Sequence, residues 1–339
     1  MKIKIIFLIY IFCFISAAMN GQSHYWPTNG WEKSNPEKQG LNNAVLSSFV
    51  DSLNNEGSVI IIKNGLIVSE HYTDKYPKDC YHNMHSFTKS ITSTLIGIAI
   101  SEGYIKSIDD LLIDYFPEID KKDSLKKQIT IRHLLTMSCG LTWLDKVDLD
   151  SLNRLKSDWV SHILSKKMES KPGSVFNYNS GGSFLLSAII QKQTKIPTSE
   201  YAKDRLFKPL GIDSVNWTRK SPQGITTGGW GSYFTLRDMA KIGYLYLQHG
   251  RWENRQIVPE NWVHESTMKQ IAVNEEDDDY GLHWWIINEF SKPAYSARGW
   301  YGNHYAYIIV IPDDHLIIAI AGEVTYYKAK RLIKKLVED

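Results

Sequence analysis

Ser86-Phe87-Thr88-Lys89, followed by Ile91-Thr92-Ser93-Thr94-Leu95-Ile96-Gly97-Ile98-Ala99-Ile100, is the stretch from which the rest of the chain can be read. The run from Ile91 is apolar nearly all round and stops near Gly103, and a helix without a polar side is a buried one. Residues at i and i+3 share a helical face, so the Ser86 hydroxyl and the Lys89 amine would meet at the N-terminus of a rigid core helix. The N–H groups and positive dipole end there favour a developing oxyanion and disfavour a protonated lysine. Those are the conditions for an activated serine nucleophile. The competing reading of Ser86 is an ordinary N-cap, for which serine is among the commonest residues.

The Ser-x-x-Lys spacing occurs twice more, and context separates the three. Ser124 to Lys127 follows the charged run Asp120-Lys121-Lys122-Asp123, which reads as a solvated loop and cannot desolvate a lysine. Ser266 to Lys269 ends a short amphipathic helix and leads to the acidic run Glu275 to Asp279. Only Ser86 has a buried helix behind it.

With 339 residues, 43% of them apolar, and a net charge of +2, the chain suits one large domain or two interleaved subdomains with ample core. A near-neutral balance gives no support to nucleic-acid binding, which wants a clustered basic face. Lys328, Lys330, Arg331, Lys334 and Lys335 read as the solvated side of a last helix that turns Leu332, Ile333 and Leu336 inward. At the start, Lys2 and Lys4, apolar Ile5 to Ile15, and small Ser16-Ala17-Ala18 form a leader for export, too short to be preferred as a membrane span. The expectation is removal of residues 1–18, or cleavage near Gly21, and a periplasmic or secreted protein. Bulky Phe12 before Cys13 argues against a lipoprotein. Cleavage leaves Cys80 and Cys139 in a compartment that permits a disulfide; two free buried thiols are the alternative.

Ser58 to Lys63 and Leu66 to Tyr72 flank Asn64-Gly65, the strongest short-range hairpin signal. Tyr305 to Ile311 and Leu316 to Ala321 repeat the arrangement around Pro312-Asp313-Asp314. Between them the pattern is helical: Thr130 to Met137, Phe184 to Gln193, and a helix opened by Thr235-Leu236-Arg237-Asp238 in capping-box form that runs to His249-Gly250. The expectation is an α+β fold, with one antiparallel sheet built from both ends of the chain, helices flanking it, and a large helical insert.

Three motifs in order then suggest a family: Ser86-x-x-Lys89; Phe176-Asn177-Tyr178-Asn179-Ser180-Gly181-Gly182 about ninety residues on; and Gly299 before the last hairpin. With the His133 to Leu141 and Asp238 to Gly243 stretches, the chain resembles the penicillin-recognising serine hydrolases of the class C β-lactamase fold. Within them it is most similar to family VIII esterases and 6-aminohexanoate-dimer hydrolases. The resemblance runs from about Gly30 to the C-terminus and implies a single domain over 30–339 with an interleaved helical subdomain. It implies that Ser86 is acylated, that Lys89 takes its proton, that Tyr178 shuttles a proton to the leaving group, and that the Ser86 and Trp300 N–H groups form the oxyanion hole. It assigns Trp143, Ser180, Arg298, Gly299 and His304 to the substrate cleft, and it implies no cofactor.

Two departures bear on substrate. Ser180 stands where lactamases carry asparagine, and Ala297-Arg298-Gly299 stands where they carry Lys-Thr-Gly. Arg298 could replace the lost cation, but neighbouring strand residues face opposite sides. The expectation is ester or linear amide hydrolysis on small-molecule or peptide-like substrates, with weak or no β-lactam turnover. The alternatives are a DD-peptidase or weak β-lactamase, and a non-catalytic relative that binds peptide-like or envelope ligands. Cys80, His82 and His85 lack a second Cys/His pair at zinc spacing. Asp145, Asp148 and Asp150 lack the glycine and glutamate of a calcium loop and read as a solvated face, so no metal is expected.

Overall fold

In the computed structural model of this chain, which describes residues 25–119, 123–273 and 277–338, seven strands form one antiparallel sheet. The expected leader lies outside the described residues. The strands are β1 (Gly57–Lys63), β2 (Leu66–His71), β3 (Asp279–Tyr280), β4 (Trp285–Ile287), β5 (Ala294–Tyr301), β6 (His304–Ile311) and β7 (Leu316–Gly322). Their order is β2-β1-β7-β6-β5-β4-β3. β1 pairs with β7 from Gly57↔Gly322 to Lys63↔Leu316, so the two terminal hairpins join in one sheet, as expected from the sequence. At the first turn Asn64 has φ 54° and Gly65 φ 81°, the paired positive values that match a two-residue turn to the strand twist.

Period-2 alternation sorts the sheet residues between two cores. Ile60, Ile62, Ile308, Val310, Ile317 and Ala319 face one; Val59, Ile61, Ile309, Ile318 and Ile320 face the other. The second core is closed by α1 (Asn43–Asp51) and by α6 (Tyr326–Glu338), through Leu46, Phe49, Ala329, Ile333 and Leu336. The first is closed by α2 (Thr88–Ser101), α4 (Ser180–Thr194) and α5 (Leu236–Leu247), with α3 (Asp145–Arg154) at its margin. Thr130 caps the Ile131–Leu135 helix in a capping box with His133. The Thr235 hydroxyl accepts from the Asp238 N–H to start α5, as the sequence pattern indicates.

The C-terminal basic cluster is not solvated throughout. Lys330 is 2% exposed, with its ammonium 3.1 Å from Asp278 and 3.2 Å from Glu289. It sits on the inward side of α6, and a buried charge persists only where it is paired. Cys80 and Cys139 are both free thiols. Among the described residues no helix is long and apolar enough to cross a membrane.

Candidate active site

Ser86 lies in a single 3₁₀ turn, His85–Phe87, that runs straight into α2. Phe87 occupies the N-cap position and no side chain caps that end, so Ser86 is not a capping residue. Its hydroxyl oxygen lies 2.9 Å from Lys89 Nζ. His85, the residue before it, has φ 46°, a left-handed conformation that a side chain adopts only where the surroundings impose it. One such restraint is the His85 N–H, which donates to Asn83 Oδ1 at 3.0 Å.

Lys89 is 1% exposed, and its amine reaches three oxygens: Ser86 Oγ at 2.9 Å, Ser180 Oγ at 2.9 Å and the Gly229 carbonyl at 3.1 Å. Burial lowers its pKa to about 8, against an opposing pull from the charge of Asp145. In its neutral form the amine can donate two N–H bonds, to Ser180 and Gly229, and turn its lone pair to the Ser86 proton. That is the geometry of a general base poised near neutrality. The Tyr178 ring centroid is 4.7 Å from Nζ, and the ring stacks on Trp285 at 6.2 Å and 21°. Ser86, Lys89 and Tyr178 are therefore brought together, from α2 and from the segment leading into α4.

Gly299 of β5 meets the turn that carries Ser86 backbone to backbone. A Cβ there would stand 2.3 Å from the Met84 carbonyl, 2.4 Å from the Ser86 nitrogen and 2.7 Å from the Phe87 nitrogen. Only glycine admits this approach, which lays the Gly299–Trp300 backbone beside the Ser86 N–H. The Trp300 side chain itself is half exposed.

Three residues assigned to substrate contact are placed otherwise. Arg298 faces away from Ser86: it is buried, ion-paired to Asp278 at 3.3 Å, and sandwiched by the Trp285 and Tyr326 rings at 3.7 and 4.2 Å. Strand alternation is the reason, since Gly299 takes the side of Ser86. Trp143 is buried under α4, where its indole N–H donates to Asp145 Oδ1 at 2.8 Å and its ring occupies the space beside Gly181. Ser180 is fully buried, and its hydroxyl is held by the lysine, out of a substrate's reach. Asp145 and Asp148 are not a solvated face either: Asp145 accepts from Ser180 N–H at 2.8 Å, and Asp148 from the Leu144 N–H and Lys166.

His304 stands between two other imidazoles, with Nε2 3.4 Å from His82 Nδ1 and Nδ1 3.3 Å from His85 Nε2. Burial lowers the pKa values of His82 and His85 to about 4, and that of His304 also falls, so this wall is neutral at pH 7. Behind Lys89 lies His283, fully buried, its Nε2 3.0 Å from Ser183 Oγ. Desolvation, then the charge of Lys89, lowers its pKa to about 3. A separate cavity of about 300 Å³, lined by residues such as Lys203, Phe207, Asp213 and Trp217, contains none of these side chains.

Sequence reasoning missed the Gly229 carbonyl, Asp145 and the His82–His304–His85 chain. The paired glycines Gly228-Gly229 were a usable signal for close backbone approach: a Cβ on Gly228 would lie 2.3 Å from the Ser183 carbonyl. Nothing local marks Asp145 or the histidines, which meet only through the tertiary fold.

The chain is similar to known proteins over most of its length. Residues 46–334 match the beta-lactamase family model. An uncharacterized protein of Alkalihalophilus pseudofirmus is 25% identical over 82% of this chain and 86% of its own. The 6-aminohexanoate-dimer hydrolase of Paenarthrobacter ureafaciens is 22% identical over 67% of this chain and 63% of its own. Among solved structures, one from Bacillus anthracis, provisionally described as a 6-aminohexanoate-dimer hydrolase, superposes with a TM-score of 0.73 at 21% identity, covering 87% of this chain and 80% of that one. The octameric penicillin-binding protein homologue of Pyrococcus abyssi gives 0.70 at 22% identity, over 85% and 75%.

Proposed function

This chain belongs to the beta-lactamase family of serine hydrolases, and from that premise we propose that it cleaves ester or linear amide bonds through an acyl-enzyme on Ser86. The observation that carries the proposal is the buried Lys89 amine, 2.9 Å from the Ser86 hydroxyl and held there by two further acceptors. Neutral Lys89 accepts the Ser86 proton as Oγ adds to the carbonyl carbon. The oxyanion forms between the Ser86 and Trp300 N–H groups, a type of stabilisation worth several kcal/mol. Collapse breaks the bond to the leaving alcohol or amine, which takes a proton relayed through Tyr178. Water then adds to the acyl group, gives its proton back to the lysine–serine pair and releases the acid.

The restriction to esters and linear amides rests on charge. Ala297 is buried and uncharged, and Arg298 is paired with Asp278, so neither supplies a cation for a β-lactam carboxylate. A lost charge-assisted hydrogen bond is worth about 1.5–3 kcal/mol, so the shortfall is about tenfold or more in transition-state binding. Export is part of the same proposal: the leader-like residues 1–18 would place the mature domain in the periplasm or outside the cell, where it would meet small-molecule or peptide-like substrates.

The test is a comparison of kcat/KM for p-nitrophenyl butyrate and nitrocefin. The proposal expects measurable ester hydrolysis and weak or absent nitrocefin turnover. A higher value for nitrocefin would overturn the substrate assignment.

A further inference from the structure

Residues 143–145 grip the segment that carries Tyr178 and Ser180. The Asp145 carboxylate oxygen Oδ1 accepts from the Ser180 backbone N–H at 2.8 Å and from the Trp143 indole N–H at 2.8 Å. The Trp143 carbonyl accepts from Asn177 Nδ2 at 3.1 Å. The Trp143 ring fills the space beside Gly181, where a Cβ would stand 2.8 Å from it. The Ser180 N–H is one of the donors that the first turn of a helix leaves without an intrahelical partner, and a carboxylate is the favoured acceptor at that end. Asn179 Oδ1 takes a second, from Gly182 N–H at 2.9 Å. The Ser180 hydroxyl then accepts from Lys89 Nζ, so an unbroken run of contacts leads from Asp145 through the start of α4 to the amine beside Ser86.

We propose that Asp145 is a positioning residue for Lys89, holding Ser180, and through it the amine, in place from outside the reacting atoms. The inference rests on the assignment of Lys89 as the base. Asp145 also acts through its charge, which favours the protonated amine and so opposes desolvation. Among the described residues, Tyr178 from the same segment and His283 also bear on the amine, while Tyr280 on β3 interacts with Tyr178, Asp145 and Arg298. Lys166, beside the Trp143 ring, is paired with Asp148. Tyr280 is held protonated by burial and His283 is held neutral, so neither adds a charge to the pull of Asp145 on the amine.

Asp145→Asn and Asp145→Ala separate the two effects. Asparagine keeps an oxygen acceptor for both N–H groups and removes the charge. The Lys89 amine should then titrate about one pH unit lower, the scale of a nearby opposite charge, with the plateau kcat within about threefold of wild type. Alanine removes the acceptor as well, and the plateau kcat should fall about tenfold or more with less change in KM, as expected when a base is displaced. Lys89 is titrated directly by NMR on protein carrying ¹³C-labelled lysine, which reads the coupling whether or not an assayed ester is turned over. An unmoved lysine titration in Asp145→Asn, or a wild-type plateau in Asp145→Ala, would overturn the inference. A wild-type protein inert to every ester, but with the lysine shift intact, would sink the hydrolase reading and leave the Asp145–Lys89 coupling standing.

Discussion

Replacing Gly299 by alanine adds one methyl group at the point where β5 meets the turn that carries Ser86, and the structure fixes what that methyl encounters. Its nearest neighbours are backbone atoms: the Met84 carbonyl at 2.3 Å, the Ser86 nitrogen at 2.4 Å and the Phe87 nitrogen at 2.7 Å. The closest approach falls about 0.7 Å short of the 3.0 Å that real Cβ contacts respect. No side chain can rotate away, so strand and turn must separate. Overpacking of this kind costs about 1–3 kcal/mol of stability. Displacing a reacting group by about 1 Å can cost roughly 10²-fold in rate. Gly299→Ala should therefore lower kcat/KM for p-nitrophenyl butyrate about 10²-fold and lower the melting temperature. The matched control is Gly182→Ala in α4, where the nearest contact is Leu134 Cδ2 at 3.5 Å and alanine gains roughly 0.5–1 kcal/mol of helix preference. A Gly299→Ala enzyme with wild-type kcat/KM would refute the backbone apposition on which the oxyanion hole is built.

Lys89→Ala and Tyr178→Phe should each reduce kcat by about 10²-fold or more, the scale of positioned acid–base catalysis, with melting curves showing folded protein. Wild-type turnover in Tyr178→Phe would reduce that residue to packing. With Lys89 as the neutral base of the proposed reaction, kcat/KM should rise with pH, level off above its pKa of about 8 and decline below it; a pH-independent rate between 6 and 9 would contradict the role. Arg298→Ala should act on stability, by about 1.5–3 kcal/mol for a lost hydrogen bond to a charged group, since Asp278 keeps Lys330, and change KM for carboxylate-bearing and neutral esters alike; a selective loss for the carboxylates would put Arg298 back in the cleft. His283 takes up a proton in the unfolded chain near pH 6.5 but in the fold only near 3, so its contribution to stability is present above 6.5 and is lost as pH falls from there toward 3. His283→Gln should flatten the melting temperature against pH across that window, and an unchanged slope would contradict its buried neutral state.

The parts of this molecule legible in the sequence are those fixed by local rules. Asn64-Gly65 declares its turn because both residues tolerate positive φ, and the Ile91–Ile100 run declares a buried helix because it has no polar side. The three separated motifs located Ser86, Lys89 and Tyr178 on elements that the fold brings together. What stayed hidden depends on which side of an element a residue faces and what meets it there. Arg298 and Gly299 are neighbours on one strand, yet one closes on Asp278 and the other on Ser86. Asp145 looked like one of three solvated carboxylates until α4 was placed above it. Lys330 looked like one basic residue of five, and only the packing of α6 on the sheet puts it opposite Asp278. The short strands β3 and β4 carried no alternation long enough to register.

The central claim is that Ser86 is the residue that becomes acylated, because Lys89 activates it. Incubating the protein with a fluorophosphonate and mapping the adduct by peptide mass spectrometry tests this directly. The account predicts one adduct, on Ser86, formed more slowly in Lys89→Ala and absent in Ser86→Ala. Labelling of Ser124, Ser266 or any other serine in its place, or undiminished labelling of Ser86→Ala, would contradict it.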